Sequence, residues 1–255
     1  MLDETCYMCE QPATSVEHVP PKCIFPEFKD AQVDLRRKLI TVPSCDDHNA
    51  KKSRDDEFLM VSIAGIIGNN SIGYEHYQGK IQRALRRTSY RLLGRVFLKG
   101  SITRIGDENK FLDLIWGTPD YPRLVDCFTH IAYGIYRHHF QVSFDGKIKV
   151  FLGFLHSANK NQNSFKEFIA HRAEIDLKEK HGSNQGVFYY RLAPPDQFGL
   201  SLMHLCFYEN VNVYVSLIPA GTGQIFDLGM EMIKGGIETT INLEGKEYKF
   251  NLKDG

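Results

Sequence analysis

The sequence predicts an α+β protein in two parts, with a small N-terminal module followed by a larger domain whose sheet is mainly antiparallel. Residues 1–68 contain two short strand patterns and one helical pattern. Residues 69–255 contain further short strand patterns between amphipathic helices, which is typical of an α+β domain. A run rich in glycine and asparagine separates the two parts, so we expect the boundary near residue 68.

The N-terminal module is predicted to contain two strands and one helix. The first strand covers residues 11–20 and the second covers residues 38–42, and prolines stop both of them. The helix begins at Ser44 or Asp46, because short polar side chains cap free backbone N–H groups, and it continues to about Ile67. This order places the end of the first strand opposite the start of the helix.

Two short pairs of metal-binding residue types frame this module. Cys6 and Cys9 form one pair, and Cys45 and His48 form the second. Structural zinc sites use four thiolate or imidazole ligands, so the two pairs together predict one zinc ion, although two unrelated pairs are the simpler alternative. A disulfide is disfavoured, because the N-terminus has no apolar secretory segment and six cysteines in 255 residues are ordinary usage.

Three further residues of the module have the chemistry of a hydrolytic site. Glu17 and His18 lie at the predicted end of the first strand, and Asn49 lies in the first helical turns. A histidine can deprotonate water near neutral pH, and Mg²⁺ prefers oxygen ligands such as those of Glu and Asn. Each residue alone is better explained as a strand end or a helix start, so the prediction depends on all three together.

The motifs of residues 4–58 resemble those of the HNH endonucleases. The matching patterns are Cys-x-x-Cys, Glu-His-Val-x-Pro-Lys and Cys-x-x-His-Asn-x-x-Lys-Ser, in this order. The resemblance implies a zinc-stapled, treble-clef-like ββα-metal fold and metal-dependent cleavage of nucleic acid. It also implies His18 as general base, Glu17 as a ligand of one catalytic Mg²⁺ or Mn²⁺, and Asn49 as a second ligand of that metal or as the residue that orients the base. The structural Zn²⁺ that it implies is bound by Cys6, Cys9, Cys45 and His48.

The chain departs from the family pattern at three positions. Glu17 stands where the family usually has Asp, and His48 stands where a cysteine is commoner. Ser53 stands where a further histidine ligand often lies, which leaves the catalytic metal one ligand short. Nearby aspartates are candidates to replace it: Asp46, Asp47 and Asp55.

Basic residues offer candidate contacts to nucleic-acid phosphates. Lys22 and Lys52 lie within the motif, and the helix predicted at residues 74–98 has an arginine at every fourth position. These arginines are Arg83, Arg87, Arg91 and Arg95. The net charge is zero, with 31 basic and 31 acidic residues, and carries no information about nucleic acid. A solvated face paired with acids from elsewhere is an equal alternative for the arginines.

The larger domain is predicted to contain both helices and strands. We expect helices at residues 122–140 and 165–180, and mixed structure at residues 102–118. The predicted strands are residues 147–155, 187–192, 201–208, 211–218, 239–243 and 248–252. The histidines of this domain lack partners at ligand spacing, so we interpret His181 as structural and the pair His138 and His139 as a polar helix end.

The sequence as a whole therefore predicts a cytoplasmic, metal-dependent HNH endonuclease. DNA is the expected substrate, RNA is not excluded, and no apolar run is long enough for a membrane span. The layout resembles that of bacterial HNH proteins found in defence against phage or in mobile elements. One alternative keeps the chemistry and makes the chain a toxin or effector that is inactive until a regulatory protein partner or small molecule engages the second domain; a homo-oligomer is the other partner considered. The alternative from another class is a non-catalytic zinc module that binds nucleic acid or protein.

Overall fold

The N-terminal part is a short antiparallel hairpin followed by helices. The structure is a computed structural model, and it describes residues 4–49, 53–89, 91–107, 110–156, 159–222 and 235–251. Strand β1 (Ser15–His18) pairs with β2 (Thr41–Ser44). The first strand is shorter than predicted, and the second continues through Pro43 instead of ending before it. The hairpin has only two strands, so a residue without a backbone N–H is tolerated at its edge.

The described residues of the helix predicted for the N-terminal module form two helical segments. Helix α1 (Phe28–Ala31) lies in the connection between the two strands. Helix α2 (Asp46–Asn49) follows Cys45 directly, and α3 (Ser53–Ala64) continues towards the second part of the chain. The order strand, strand, helix predicted for the module is therefore confirmed.

The long helix predicted at residues 74–98 is wrong as a single element. The chain instead forms α4 (Ser71–His76), a π-helical turn at Tyr77–Ile81 and α5 (Gln82–Arg87). The Thr88 hydroxyl then donates to the carbonyls of Ala84 and Leu85, at 3.1 and 3.0 Å, and competes with continuation of the helix. A 3₁₀ turn at Arg91–Arg95 leads into a long hairpin, where only mixed structure was expected. Its strands are β3 (Phe97–Asp107) and β4 (Lys110–Pro119).

The larger part contains an antiparallel four-stranded sheet and two long helices, which confirms the predicted α+β class. The sheet has the order β5-β8-β7-β6. Its strands are β5 (Gly146–Leu152), β6 (Phe188–Leu192), β7 (Ser201–Phe207) and β8 (Val211–Pro219). The helices are α6 (Tyr121–Phe140) and α7 (Lys160–Asp176). A separate hairpin joins β9 (Thr239–Leu243) to β10 (Lys246–Phe250), as predicted.

The largest buried hydrophobic cluster extends across residue 68. It includes Ile24 and Phe58 from the N-terminal part together with Phe128, Phe207 and Val215 from the larger part. Side chains of the two parts therefore pack in one hydrophobic core. The domain boundary near residue 68 stays a prediction. Among the described residues, no helix combines the length and the apolar character that a bilayer crossing requires.

Candidate metal centre

The first ligand pair lies in a tight reversal of the chain near the N-terminus. Thr5 forms an isolated antiparallel bridge with Pro12, and the Cys6 N–H donates to the Gln11 carbonyl at 2.8 Å. The chain between these contacts turns back on itself. The turn therefore carries both Cys6 and Cys9 within one short loop.

The second ligand pair lies where β2 passes into α2. Cys45 is the residue between these two elements, and the N–H groups of His48 and Asn49 donate to its carbonyl at 3.2 and 3.0 Å. This single turn places the His48 ring on the same side as the Cys45 thiol. The structure therefore brings the two predicted pairs to one point.

The separations between the donor atoms fit a tetrahedral zinc ion. The His48 Nδ1 atom lies 3.4, 3.5 and 3.2 Å from the sulfurs of Cys6, Cys9 and Cys45, and the Cys9 and Cys45 sulfurs are 3.8 Å apart. Ordinary Zn–S and Zn–N bond lengths require S–S separations of about 3.8 Å and S–N separations of about 3.6 Å. Among the described residues, no other group of His, Cys, Asp or Glu meets the same geometric condition. These four side chains could therefore hold a metal ion such as zinc.

The electrostatics of the cluster favour a bound cation. Burial raises the pKa of the Cys9 thiol to about 11, and the neighbouring sulfurs of Cys45 and Cys6 add to this effect. Burial also acts to raise the pKa of Cys45, but hydrogen bonds from the backbone of His48 and from the other thiols lower it overall. Several thiolates in one place repel each other, and a dication removes that repulsion. All six cysteines lie within the described residues and are free of disulfides.

Glu17 is buried behind the metal-binding turn. It is 7% exposed, and the Tyr7 hydroxyl donates to its Oε2 atom at 3.0 Å. Burial and the Glu17 charge raise the pKa of Tyr7 well above its ordinary value, so the phenol keeps its proton. The Tyr7 N–H in turn donates to the Pro43 carbonyl at 2.9 Å. The residue after Cys6 thus connects the first ligand pair to the carboxylate of Glu17.

Asn49 contacts the same strand from the helix side. Its Nδ2 atom donates to the Ser15 hydroxyl at 2.8 Å. Ser15 and Glu17 are two residues apart on β1, and alternate residues of a strand share one face. The structure therefore brings Asn49 to the face of β1 that carries Glu17, and carboxylate and amide oxygens together fit a hard cation.

His18 lies at the end of β1 and, by strand alternation, on the other face from Glu17. It is paired in register with Thr41 of β2. Burial lowers the pKa of His18, and the nearby Lys22 charge adds to this, whereas Glu17 opposes it. The imidazole is therefore neutral near pH 7, as a general base must be.

The predicted phosphate contacts have different surroundings. Lys22 is exposed on a 3₁₀ turn close to His18, whereas Lys52 lies outside the described residues. Arg83 forms an ion pair with Asp30, with an N–O distance of 2.8 Å, which is the arrangement expected of a face paired with acids.

Only part of the predicted arginine stripe has helical spacing in the structure. Arg87 is exposed on α5, four residues after Arg83, whereas Arg91 follows the helix break and donates to the Thr88 carbonyl at 3.2 Å. The Arg95 side chain lies outside the described side chains. The continuous stripe is therefore a wrong prediction, because α5 ends at Arg87.

Sequence reasoning missed a histidine cluster in the larger part of the chain. The rings of His139 and His181 have centroids 5.0 Å apart, and His181 stacks on Tyr190 at 5.0 Å. The His139 Nδ1 atom lies 3.2 Å from the Tyr190 hydroxyl. The only sequence signal was the pair His138 and His139, since His181 and Tyr190 lie 42 and 51 residues after His139 and meet it only in the tertiary structure.

Comparison of the chain with protein-family models, with curated proteins and with solved structures finds no match. The HNH resemblance therefore stays a prediction based on the motif and its geometry.

Proposed function

We propose that this chain is a metal-dependent endonuclease of the HNH kind that hydrolyses phosphodiester bonds in DNA. The supporting observation is the contact between Asn49 and Ser15, which holds the end of α2 against the face of β1 that carries Glu17. The metal-binding cluster includes His48, the neighbour of Asn49, so the structural metal and the proposed catalytic residues are mechanically coupled.

Each residue of the proposed site has a distinct role. The carboxylate of Glu17 and the Oδ1 atom of Asn49 would hold Mg²⁺ or Mn²⁺, which when bound polarises the scissile phosphate and stabilises the departing oxygen. A ring nitrogen of His18 takes the proton of the attacking water, and its lowered pKa keeps that nitrogen unprotonated near pH 7. His18 is the last residue of β1, so its ring approaches the substrate from the strand end.

The zinc ion has a structural role in this proposal. Catalytic zinc sites keep one position open for water, whereas four protein ligands close the coordination shell. Cys6, Cys9, Cys45 and His48 together supply four ligand atoms. The ion would therefore fix the turn and the helix start, while the chemistry takes place at Glu17, His18 and Asn49.

Replacement of His18 tests the proposal directly. His18→Ala should reduce Mg²⁺-dependent cleavage of supercoiled plasmid by about 10²- to 10⁴-fold, because general base catalysis contributes roughly this factor. Zinc content and thermal stability should stay near the wild-type values. His156→Ala, which removes an exposed histidine of the larger part, is the matched control and should cleave normally. Equal cleavage by wild type and His18→Ala would contradict the proposed role.

A non-catalytic zinc module is the second candidate function. Two observations favour it: the Glu17 carboxylate is buried against Tyr7, and His18 lies on the opposite strand face. This function predicts binding of DNA, RNA or protein with no metal-dependent cleavage, and binding that is the same in His18→Ala. The plasmid assay with added Mg²⁺ and Mn²⁺, repeated with RNA, distinguishes the two functions.

The biological setting is proposed from the motif resemblance. We propose a cytoplasmic effector of defence against phage, in which residues 69–255 position the substrate or respond to a protein partner or small molecule. Cleavage that appears only after addition of extract from phage-infected cells, and that is lost in His18→Ala, would support this setting. Full cleavage by the purified protein alone would contradict a requirement for activation.

A further inference from the structure

A groove opens between the N-terminal hairpin and the larger part of the chain. Its volume is about 600 Å³, which is within the range of ligand-binding sites. One wall consists of residues 38–41, which lead into and begin β2. The other wall consists of His138 at the end of α6, residues 181–183 and Tyr190 on β6. The groove therefore needs both parts of the chain.

The groove begins beside His18. Thr41, which lines the groove, is the cross-strand partner of His18, and directly paired residues have side chains on the same face of a hairpin. The Val19 N–H donates to the Ile40 carbonyl at 3.0 Å, which continues the pairing past His18. A narrow crevice between residues 38–40 and 182–184 also reaches Val19. A ligand in the groove would therefore extend to the face that carries the proposed general base.

The groove walls present hydrogen-bond donors and positive charge. Lys38 contributes an ammonium group, Thr41 and Ser183 contribute hydroxyls, and His138 and His181 contribute imidazoles. Among the described residues that line the groove, none is acidic. Such a set of groups favours an anion with several acceptor oxygens, as a phosphodiester has.

The walls are held in place by contacts outside the groove. The Asn184 side chain donates to the Arg37 carbonyl at 3.1 Å and joins the two walls at one end. The stacking of His181 on Tyr190 fixes the ring that faces the groove. Fixed donors reduce the entropy cost of binding, which is expected of a binding surface formed in advance.

We propose that this groove binds the sugar-phosphate backbone of one nucleic-acid strand, next to the bond that is cleaved at His18. The inference rests on the proposed function, because the path of the strand is set by the position of His18. The groove volume of about 600 Å³ is sufficient for the backbone of a single strand. Lys38 and His138 are the residues that contact phosphate, and Lys38 extends the phosphate-binding surface beyond the residues of the motif.

Binding without cleavage tests the groove. The probe is a short fluorescein-labelled oligothymidylate, with its affinity measured by fluorescence anisotropy without added Mg²⁺ over a series of salt concentrations. The double variant Lys38→Gln/His138→Ala should bind about tenfold more weakly, because two hydrogen bonds to charged oxygens are lost. The slope of the logarithm of affinity against the logarithm of salt concentration should fall by about 0.7, because Lys38 is the one charged contact removed. Burial lowers the pKa of His138, so its ring is neutral near pH 7 and releases no counterion.

The matched control removes the same charge at the far edge of the sheet. Lys147 is exposed on β5, at the opposite end of the strand order from β6, which carries Tyr190. Lys147→Gln should keep wild-type affinity and salt slope. Wild-type affinity in the folded double variant, or equal loss in the control, would overturn the proposal.

The groove and the proposed function fail in different ways. If wild type binds the probe through Lys38 and His138 but never cleaves nucleic acid, the nuclease proposal fails and the groove stands. If the protein cleaves, Lys38→Gln/His138→Ala should raise KM and leave kcat nearly unchanged. Cleavage with wild-type KM in this variant would remove the groove and leave the nuclease.

Discussion

At the scale of single residues, the metal cluster positions more than its own ligands. Cys6 is followed by Tyr7, which is fully buried and donates to Glu17, and His48 is followed by Asn49, which donates to Ser15. Each ligand pair is thus directly attached to a side chain that contacts β1. A metal ion bound by these four residues would therefore also hold both of these neighbours in place, and with them the residues proposed for catalysis.

Replacement of one ligand should therefore affect the whole N-terminal part. Cys45→Ser should lower the zinc content from about one ion per chain to near zero, and the free energy of unfolding should fall by several kcal/mol, because structural zinc binding is folding energy. Metal analysis and urea denaturation measure the two effects. Cys23→Ser is the control, since Cys23 donates to the Asp56 carbonyl and lies outside the cluster. Full zinc content in Cys45→Ser would show that Cys45 is not a ligand.

At the scale of elements, α6 is the helix that covers the metal-binding module. His130 lies beside His48 with ring centroids 6.4 Å apart, and Arg137 forms an ion pair with Glu4 at 3.5 Å. Gly134 lies between these two residues at helical spacing, against Val19. The face of α6 was readable as amphipathic from the sequence, but the sequence contained no sign that its partner is the module.

The approach of α6 to Val19, the residue after β1, depends on the missing side chain at Gly134. A Cβ atom at this position would lie 2.6 and 2.8 Å from the two methyl groups of Val19, so an added side chain must displace the helix or Val19. Gly134→Ala should destabilise the protein by about 1–3 kcal/mol, reduced by the better helix propensity of alanine. Urea denaturation measures the change.

Gly94→Ala is the control for this substitution. A Cβ atom at Gly94 meets no described heavy atom within 4 Å, so its effect should be small. Equal stability of Gly134→Ala and wild type would mean that α6 and Val19 are less tightly packed than the structure has them.

At the scale of the whole molecule, a chain of buried hydrogen bonds joins distant parts of the sequence. The Tyr208 hydroxyl donates its one proton to the Ile24 carbonyl at 2.6 Å. The His76 Nδ1 atom, 2.9 Å from the same oxygen, must therefore be the donor in that contact. The Nε2 atom is buried and has no hydrogen-bond partner among the described residues, so a second proton would be unsatisfied there and His76 is neutral.

His204, a buried histidine on β7, is also neutral. Arg191 donates to the His204 Nδ1 atom at 3.0 Å, and the Nε2 atom donates to Asn212 at 2.8 Å. A proton on Nδ1 would face the Arg191 donor. Burial lowers the pKa of His204 to about 4, and the Arg191 charge adds to this, whereas the Asn212 hydrogen bond opposes it. Burial likewise lowers the pKa of His76 to about 4, with Lys80 and Arg36 adding to the effect.

The two histidines predict acid sensitivity between about pH 6.5 and pH 4. In this window the unfolded chain binds a proton at each site, while the folded protein excludes it, so stability falls as the pH decreases. Each group contributes up to about 3 kcal/mol of this loss, and neither contributes a pH dependence above the window. The free energy of unfolding, measured by urea denaturation at several pH values with zinc present, should show the decline.

His76→Asn isolates one of these contributions. The Asn amide can still donate to Tyr208, but it cannot titrate. The variant should be less stable than wild type at pH 7 because its side chain is smaller. Its free energy of unfolding should decline less steeply with falling pH, because one fewer proton is taken up on unfolding. The same slope as wild type would show that His76 is not the group responsible.

The sequence by itself determined the local features of this protein: the two ligand pairs, the strand-strand-helix order, the position of α6 and the strands of the antiparallel sheet. Such features follow from the spacing of a few residues or from periodicity within one element. The end of α5 was not predicted, because it depends on competing hydrogen bonds of Thr88.

Only the tertiary structure decided which side chains meet across long separations. It placed Asn49 on the face of Glu17, His18 on the other face, and residues 38–41 opposite His181. The continuous core across residue 68 was decided in the same way. The physical reason is that such contacts depend on how the faces of separate elements pack together, and no residue spacing in the sequence records this.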